Sequence, residues 1–300
     1  MINLEIFLQG GLGNQLIQGA FCFGHIHGHR DRTMTANSIL LRRPVSSLRG
    51  VTHRRLHPFY QSEQYKQLHN ASCRLSSSYR RLIQSLISPS LISDRTSAKS
   101  LEDQLKDSTE HQSLKMMGYF HRAAAFSDQT NIFWKAVAEW LQAHNALSMK
   151  ETSRIAAHIR LGDYTTQSNR KFYAAAPIEA QISTAVRWRD KLGGTAKIDL
   201  ITDDQRQLEA LLPSAFRNQC RLLDNQGEYH DFATLCSYQS IVTSNSTYSL
   251  AAAKLASVLW GKPVTAQLPD AWYKNNQRNQ AQLHEWSQLS FMGGFWSSTN

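Results

Sequence analysis

Residues 155–164 read IAAHIRLGDY. Three apolar residues lead into His158, Ile159, Arg160, Leu161, Gly162, Asp163 and Tyr164, so charge arrives only where the apolar run stops. A strand buried on both faces reads as a short continuous apolar run, and its exit is where polar side chains meet a ligand or solvent. The stretch is therefore read as a strand, 154–159, carrying His-x-Arg-x-Gly-Asp at its carboxyl end. Downstream the pattern repeats. A helix over 177–192 opens at Pro177, suited to a first turn, and stops at Gly193-Gly194. Strand 197–202 ends in Asp203-Asp204, and helix 205–212, strand 221–223, helix 228–238 and strand 240–243 follow. Ser244-Asn245-Ser246-Thr247 then leads into helix 248–259. Strand alternating with helix predicts parallel βαβ units, with ligands outside the carboxyl ends of the strands.

Working outward, the chain opens strand, glycine loop, helix: 3–8, then QGGLGNQ, then an apolar stretch over 16–26. The start, MINLEIFLQGG, has no basic leader and no cleavage site and reads as a first strand. Residues 31–115, rich in Ser, Arg and His, read as helices and loops, with 88–112 as a mobile connection. Helical spacing returns over 131–146 through Ile132, Phe133, Ala136, Val137, Trp140 and Leu141. Three hundred residues, 41% of them hydrophobic, favour two domains, and no run is long enough to span a membrane.

The net charge is +10, and Arg42, Arg43, Arg49, Arg54, Arg55, Arg74, Arg80 and Arg81 crowd one segment. Such a patch suits an anionic lipid surface or a phosphorylated substrate, or is simply solvated. Nucleic acid ranks lower, because no aromatic side chains interleave the cations to stack bases. Cys22, Cys73, Cys220 and Cys236 show no zinc spacing and suit reduced thiols in a cytoplasm, although a Cys220–Cys236 bridge is open on spacing.

Three polar clusters fall at predicted strand ends: 158–164, 202–204 and 244–247. Each alone has a bland explanation, since Asp203, Asp204, Ser246 and Thr247 are good helix caps and a lone His158 suits a core. Together, on one sheet edge, they predict a site, and its chemistry favours phosphate. Arg160 offers a bidentate fork, and Ser246 and Thr247 offer hydroxyls at a helix N-terminus. The GGLGNQ loop does not complete G-x-G-x-x-G, because Leu16 stands where the last glycine belongs, and the acidic ribose partner is replaced by Arg30-Asp31-Arg32. A dehydrogenase is disfavoured on that ground, and an ATPase by the missing P-loop. No Asp-x-Asp is present to hold a metal on a diphosphate, and His25-x-His27-x-His29 lacks carboxylate or thiol companions, so no metal is expected.

Gly10-Gly11-Leu12-Gly13-Asn14-Gln15-Leu16, His158 to Tyr164, Thr202-Asp203-Asp204 and Ser244 to Ser249 form an ordered set. With the late Pro269 and Trp272, that set resembles glycosyltransferase family 11, the α-1,2-fucosyltransferases, over residues 7 to about 273. The resemblance implies a GT-B-type α/β fold of two Rossmann-like domains with parallel sheets and the active site in the cleft between them. It divides the chain into an acceptor-side domain 1–150, a GDP-fucose-binding domain 151–273, and a tail 274–300 packing back on the first domain. The implied reaction is inverting transfer of L-fucose from GDP-β-L-fucose to the 2-OH of a terminal galactoside. GDP-fucose serves as co-substrate, without a cofactor or metal. Transfer by Arg160, Asp163 and Asn14 is implied, with Gly11, Gly13, Asn14, His158, Arg160, Asp204, Asp231, Asn245, Ser246 and Thr247 holding GDP-fucose. His158 would contact guanine or its ribose, Arg160 the pyrophosphate, and Asp231 the guanine N1–H and 2-amino group. Many relatives have a second arginine where this chain has Leu161; it is dispensable here, or Arg170 or Lys171 replaces it. The general base is not named by the sequence.

The setting implied is bacterial surface-glycan (O-antigen) synthesis in the cytoplasm, with peripheral contact at the anionic inner leaflet. Alternatives within the resemblance are α-1,6 or protein O-fucosyl transfer, and a non-catalytic sugar-nucleotide or glycan-binding protein.

Overall fold

In the computed structural model the described residues are 2–8, 10–27, 32–37, 58–72, 90–93, 113–117, 121–144, 147, 151–162, 171–174, 176–195, 197–260 and 264–297. They form two compact units, Met1–Trp140 and Leu141–Asn300, against an expected boundary at 150.

The first unit begins with strand β1 (Ile2–Phe7), helix α1 (Leu12–His27) and strand β2 (Arg32–Asn37). Helix α2 (Glu63–Ser72), strands β3 (Ser90–Ser93) and β4 (Ser113–Met117), and helix α3 (Asn131–Ala143) follow. The sheet runs β2-β1-β4-β3, all parallel. Helix α1 buries Leu16, Ile17, Ala20, Phe21, Cys22 and Phe23 together with Gln15 and Gln18, so it is a core helix rather than a surface one. Around it Phe59 packs edge-on against Tyr60, Tyr65 and Phe133, and the Tyr60 hydroxyl donates to the Gln15 carbonyl at 2.6 Å. Strands β2, β3 and β4 correct the reading of 31–115 as helices and loops. These strands are short, and Arg32-Thr-Met-Thr and Ser90-Leu-Ile-Ser carry too few apolar residues to announce themselves.

The second unit runs strand β5 (Glu151–Ile159), helix α4 (Ile178–Lys191), strand β6 (Ile198–Thr202), helix α5 (Gln205–Leu211) and strand β7 (Cys220–Leu222). Helix α6 (Glu228–Cys236), strand β8 (Tyr238–Val242), helix α7 (Thr247–Trp260), strand β9 (Thr265–Pro269), helix α8 (Asn276–Trp286) and strand β10 (Met292–Trp296) complete it. Helix α4 ends as its glycines require. Gly193 takes φ +69, and the N–H groups of Gly194 and Gly193 bond back to the Arg189 and Asp190 carbonyls, a Schellman closure. Pro177 stands one residue outside the helix, at its N-cap.

Six parallel strands lie in the order β10-β9-β8-β5-β6-β7. Numbered within the unit this is 6-5-4-1-2-3, the doubly wound order, whose direction reverses between β5 and β8. Both units are thus parallel α/β sheets, the fold class expected. Ile155, Ala157 and Ile159 of β5 pack with Ala180, Ile182 and Ala185 of α4 on one face. Period-two alternation sends His158 to the opposite face. Residues 274–300 were expected as a tail; instead Asn276–Trp286 is a helix and Met292–Trp296 is the edge strand of the second sheet. Strand β8 also starts at Tyr238, a residue that the sequence pattern places in the preceding helix. Cys220 and Cys236 remain thiols, so the Cys220–Cys236 bridge is not formed.

Candidate functional site

The reversal between β5 and β8 opens a crevice at the carboxyl edge of the second sheet, because the chain leaves the two adjacent strands toward opposite sides. The register pairs Ile159 with Thr202, so the next residues, Arg160 and Asp203, emerge side by side. They form an ion pair of 3.0 Å, while the other oxygen of Asp203 accepts the Leu161 N–H at 2.8 Å. One carboxylate thereby holds both the backbone turn and the guanidinium. Gly162 makes this possible, since a Cβ there would collide with the Asp203 carboxylate.

His158 is 2% exposed. Its Nδ1 lies 3.1 Å from Ser244 Oγ, and its ring stacks on Tyr248 with centroids 5.1 Å apart. Burial, with the Arg160 charge adding to it, lowers its pKa to about 3, so the ring is neutral near pH 7. It can give or take a hydrogen bond but cannot act as a cation toward phosphate. Tyr248 also contacts Phe232 edge-on at 5.1 Å and donates its hydroxyl to the Glu228 carbonyl at 2.7 Å. Burial raises the Tyr248 pKa; the Asp231 carboxylate raises it further and the Arg160 guanidinium opposes it. Both charges therefore act on the Tyr248 ring. Asp231, in the first turn of α6, accepts the Gln226 N–H at 3.0 Å. Its own pKa is raised by burial, against that bond and the nearby His230.

On the β8 side Ser244, Asn245 and Ser246 are all buried. Asn245 Nδ2 donates to the Ala174 carbonyl at 2.8 Å, anchoring the segment beyond β5. Ser246 Oγ accepts the Tyr248 N–H at 3.3 Å, the capping geometry, and Thr247 begins α7. Asp204 caps α5 by accepting the Gln207 N–H at 3.0 Å. Beneath them Gln181 of α4, fully buried, donates from Nε2 to the carbonyls of His158 at 2.7 Å and Val242 at 3.4 Å. It joins the two strands that flank the crevice.

In the first unit the GGLGNQ loop turns through Gly10 at φ +80, with Gln15 Nε2 donating to its carbonyl at 3.0 Å. Gly11 precedes α1, Gly13 lies in its first turn, and Asn14 Oδ1 meets His121 Nε2 at 2.9 Å. Asp163 lies outside the described residues, as do Tyr164, Arg170 and the arginine cluster over 42–55 and 74–81. Lys171 is exposed.

Within the second unit, then, His158, Arg160, Asp231 and the 244–247 turn share one sheet edge, and Asp204 stands at the same edge as a cap. Asn14, Gly11 and Gly13 form a second cluster in the first unit. Four side chains were not foreseen in these roles: Asp203 as the partner of Arg160, Tyr248, Gln181 and His121. Asp203 was accessible, because parallel pairing of two recognised strands puts 160 beside 203. The others depend on contacts 23 to 107 residues apart that no local pattern carries. Among the described residues no group of three metal-ligating side chains occurs, and no helix is long and apolar enough to cross a membrane.

No family model and no curated protein matches the sequence. Among solved structures the chain is similar to POFUT1 in complex with GDP, at 10% identity, covering 89% of this chain and 97% of that one, with a TM-score of 0.47. It is likewise similar to POFUT1 in complex with GDP-fucose, at 10% identity and the same coverage, with a TM-score of 0.46. A likeness at this level assigns neither an activity nor a ligand.

Proposed function

We propose that the chain is a metal-independent, GDP-fucose-dependent fucosyltransferase that inverts at the anomeric carbon. We further propose that it transfers L-fucose to the 2-OH of a terminal galactoside in bacterial surface-glycan (O-antigen) synthesis. One observation carries the reading: a neutral buried His158 stacked on Tyr248, an Asp203-oriented Arg160 and Asp231 in the first turn of α6 share the edge where the strand order reverses. That combination suits a guanosine diphosphate. A carboxylate can accept from guanine N1–H and its 2-amino group together, a donor pair that adenine lacks. An arginine fork suits the pyrophosphate, whose charge grows as the bond to fucose breaks.

Arg160, held from one side by Asp203, presents a fixed charge that needs no reorganisation as the leaving group departs. His158, unable to ionise near neutral pH, offers hydrogen-bonding capacity without adding charge. Ser246 and Thr247 place hydroxyls and N–H groups at the start of α7. Asp163, Gly11, Gly13, Asn14, Asp204 and Asn245 complete the proposed set. Peripheral contact with the anionic inner leaflet through the arginine cluster belongs to the same proposal, tested by binding to anionic but not neutral vesicles at low salt. The central test is incubation of purified protein with GDP-fucose and a β-galactoside in EDTA, with product linkage read by NMR. An α-1,2 linkage is expected. An α-1,6 linkage would reassign the acceptor, and GDP-fucose binding without turnover would make the chain a sugar-nucleotide-binding protein.

A further inference from the structure

We infer that Phe172, with Lys274 beside it, is a platform for the C–H face of a hexose ring at the rim of the proposed site. The inference rests on the fucosyltransferase reading and names a sugar contact on that same sheet edge. Every residue in it belongs to the second unit.

Phe172 is 68% exposed, more than any other large hydrophobic side chain among the described residues. The backbone beneath it is nevertheless fixed. Phe172 lies in the connection leaving β5 and Tyr273 in the one leaving β9, and β8 stands between those two strands. The connections meet as a short antiparallel ribbon across the end of β8, with Tyr173 opposite Tyr273. The Lys274 N–H donates to the Phe172 carbonyl at 3.0 Å, and the Ala174 N–H to the Trp272 carbonyl at 3.1 Å. Asn245, in the 244–247 turn, ties the ribbon to the site through the Ala174 carbonyl at 2.8 Å. From α8, buried Asn279 accepts the Trp272 and Tyr273 N–H groups at 2.6 and 3.1 Å.

Opposite residues of an antiparallel pair share a face. Tyr173 and Tyr273 fill one face, stacked with centroids 5.8 Å apart, and the Arg278 guanidinium lies over Tyr273 at 4.1 Å. Phe172 and Lys274 therefore stand together on the other. An apolar ring beside a cationic donor suits a hexose, which has one face of C–H groups and a rim of hydroxyls. Galactose and L-fucose share that chemistry, since C3–H, C4–H and C5–H lie on one face in both. Lys171, Lys274 and Asn275 around the ring are exposed and polar. One ring in such a setting is far too small for a protein partner, whose stable interfaces bury about 800 Å² a side. Because the ribbon is already ordered, a sugar stacking there pays little conformational entropy.

Saturation-transfer NMR on the purified chain tests the platform, with methyl β-galactoside and, separately, with GDP-fucose. In the wild type the H3, H4 and H5 protons of one of the two sugars should be saturated most strongly. Phe172→Ala should abolish that pattern and Phe172→Trp should keep it, while both variants unfold at the wild-type temperature because the ring is exposed. Loss on the galactoside assigns the platform to the acceptor. Loss on the fucosyl group, with guanine still saturated, assigns it to the donor. In transfer assays KM for that substrate should rise about 3–10-fold in Phe172→Ala with kcat held, the size of one aromatic contact made equally before and during reaction. Saturation of both sugars unchanged by Phe172→Ala, or of neither in the wild type, would overturn the platform. A wild type that saturates the galactoside through Phe172 but gives no guanine signal from GDP-fucose would overturn the fucosyltransferase reading and leave the platform standing.

Discussion

Arg160 and His158 are two residues apart and on the same side of the strand exit, yet their environments give them opposite jobs. Arg160 keeps its charge at the rim, and Asp203 orients it at 3.0 Å. Arg160→Ala should lower kcat by roughly 10²–10³-fold, the loss seen when one donor to developing charge is removed. Arg160→Lys should recover little, because a point charge does not reproduce a planar fork. Activity of the alanine variant within tenfold of wild type would remove Arg160 from the reaction. His158 is neutral because burial drives its pKa down to about 3 from an ordinary value near 6.5. Between those two values the unfolded chain binds a proton that the folded chain refuses, so stability is present above 6.5 and is lost as pH falls toward 3. From pH 7 to pH 5 this residue alone should cost about 2 kcal/mol. Urea unfolding at both pH values should show wild type losing about that much more than His158→Gln, and equal losses would mean that His158 titrates normally.

At the scale of elements, the decisive connection is Gln181, whose Nε2 reaches the His158 and Val242 carbonyls from α4 and so joins β5 to β8. Its Oε1 is buried without a partner, so the site tolerates one unmet acceptor in order to satisfy two carbonyls. Gln181→Leu would leave those carbonyls unmet and should cost about 1–3 kcal/mol. Gln181→Glu should be worse near pH 7, because a carboxylate oxygen would face two carbonyl oxygens. Its deficit should shrink in acid, where the protonated carboxyl donates again. Thermal unfolding of both variants across pH checks the ranking, and a glutamate variant as stable as wild type near pH 7 would deny the bridge. None of this was legible beforehand, whereas β5, α4, β6, α5 and α7 were. Those elements carry strong apolar runs or clear punctuation, such as Gly193-Gly194 and Asp203-Asp204. Strands β9 and β10 were missed because Thr265-Ala-Gln-Leu-Pro contains an edge-type proline and Met292-Gly-Gly-Phe-Trp two glycines, both poor strand signals. Tyr238 was drawn into α6 for a related reason: Ser237 between helix and strand gives no stop signal. The site's strand-end clusters were legible because apolar runs announce where strands stop. Its cross-element partners were not, because Tyr248 and Gln181 look like ordinary helix residues until the sheet order is known.

Across the whole second unit, polar chemistry is divided between the two ends of the sheet, and only one end is proposed to bind. At the other end Asp199 of β6, fully buried, accepts both Arg221 Nε at 2.7 Å and Nη2 at 2.8 Å. It also accepts Arg154 at 3.3 Å and the Tyr238 hydroxyl at 2.6 Å. One carboxylate thus ties β5, β6, β7 and β8 together near their starts, and the bidentate bond raises the Arg221 pKa. The cluster is asymmetric: the carboxylate is buried, but the side chains of Arg154 and Arg221 are 29% and 44% exposed. Removing the anion leaves cations that water can solvate, so Asp199→Asn should cost about 1–3 kcal/mol, mostly in lost charge-assisted hydrogen bonds. Removing both cations strands a buried charge, and Arg154→Ala with Arg221→Ala should cost about 3–5 kcal/mol. Both variants, at temperatures where they remain folded, should bind GDP with wild-type affinity, because the cluster and the proposed site occupy opposite ends of the sheet. Chemical denaturation sets the order: if Asp199→Asn proves more damaging than the double arginine variant, the burial asymmetry does not govern the cluster. The two arginines would then be holding the strands by packing rather than by charge.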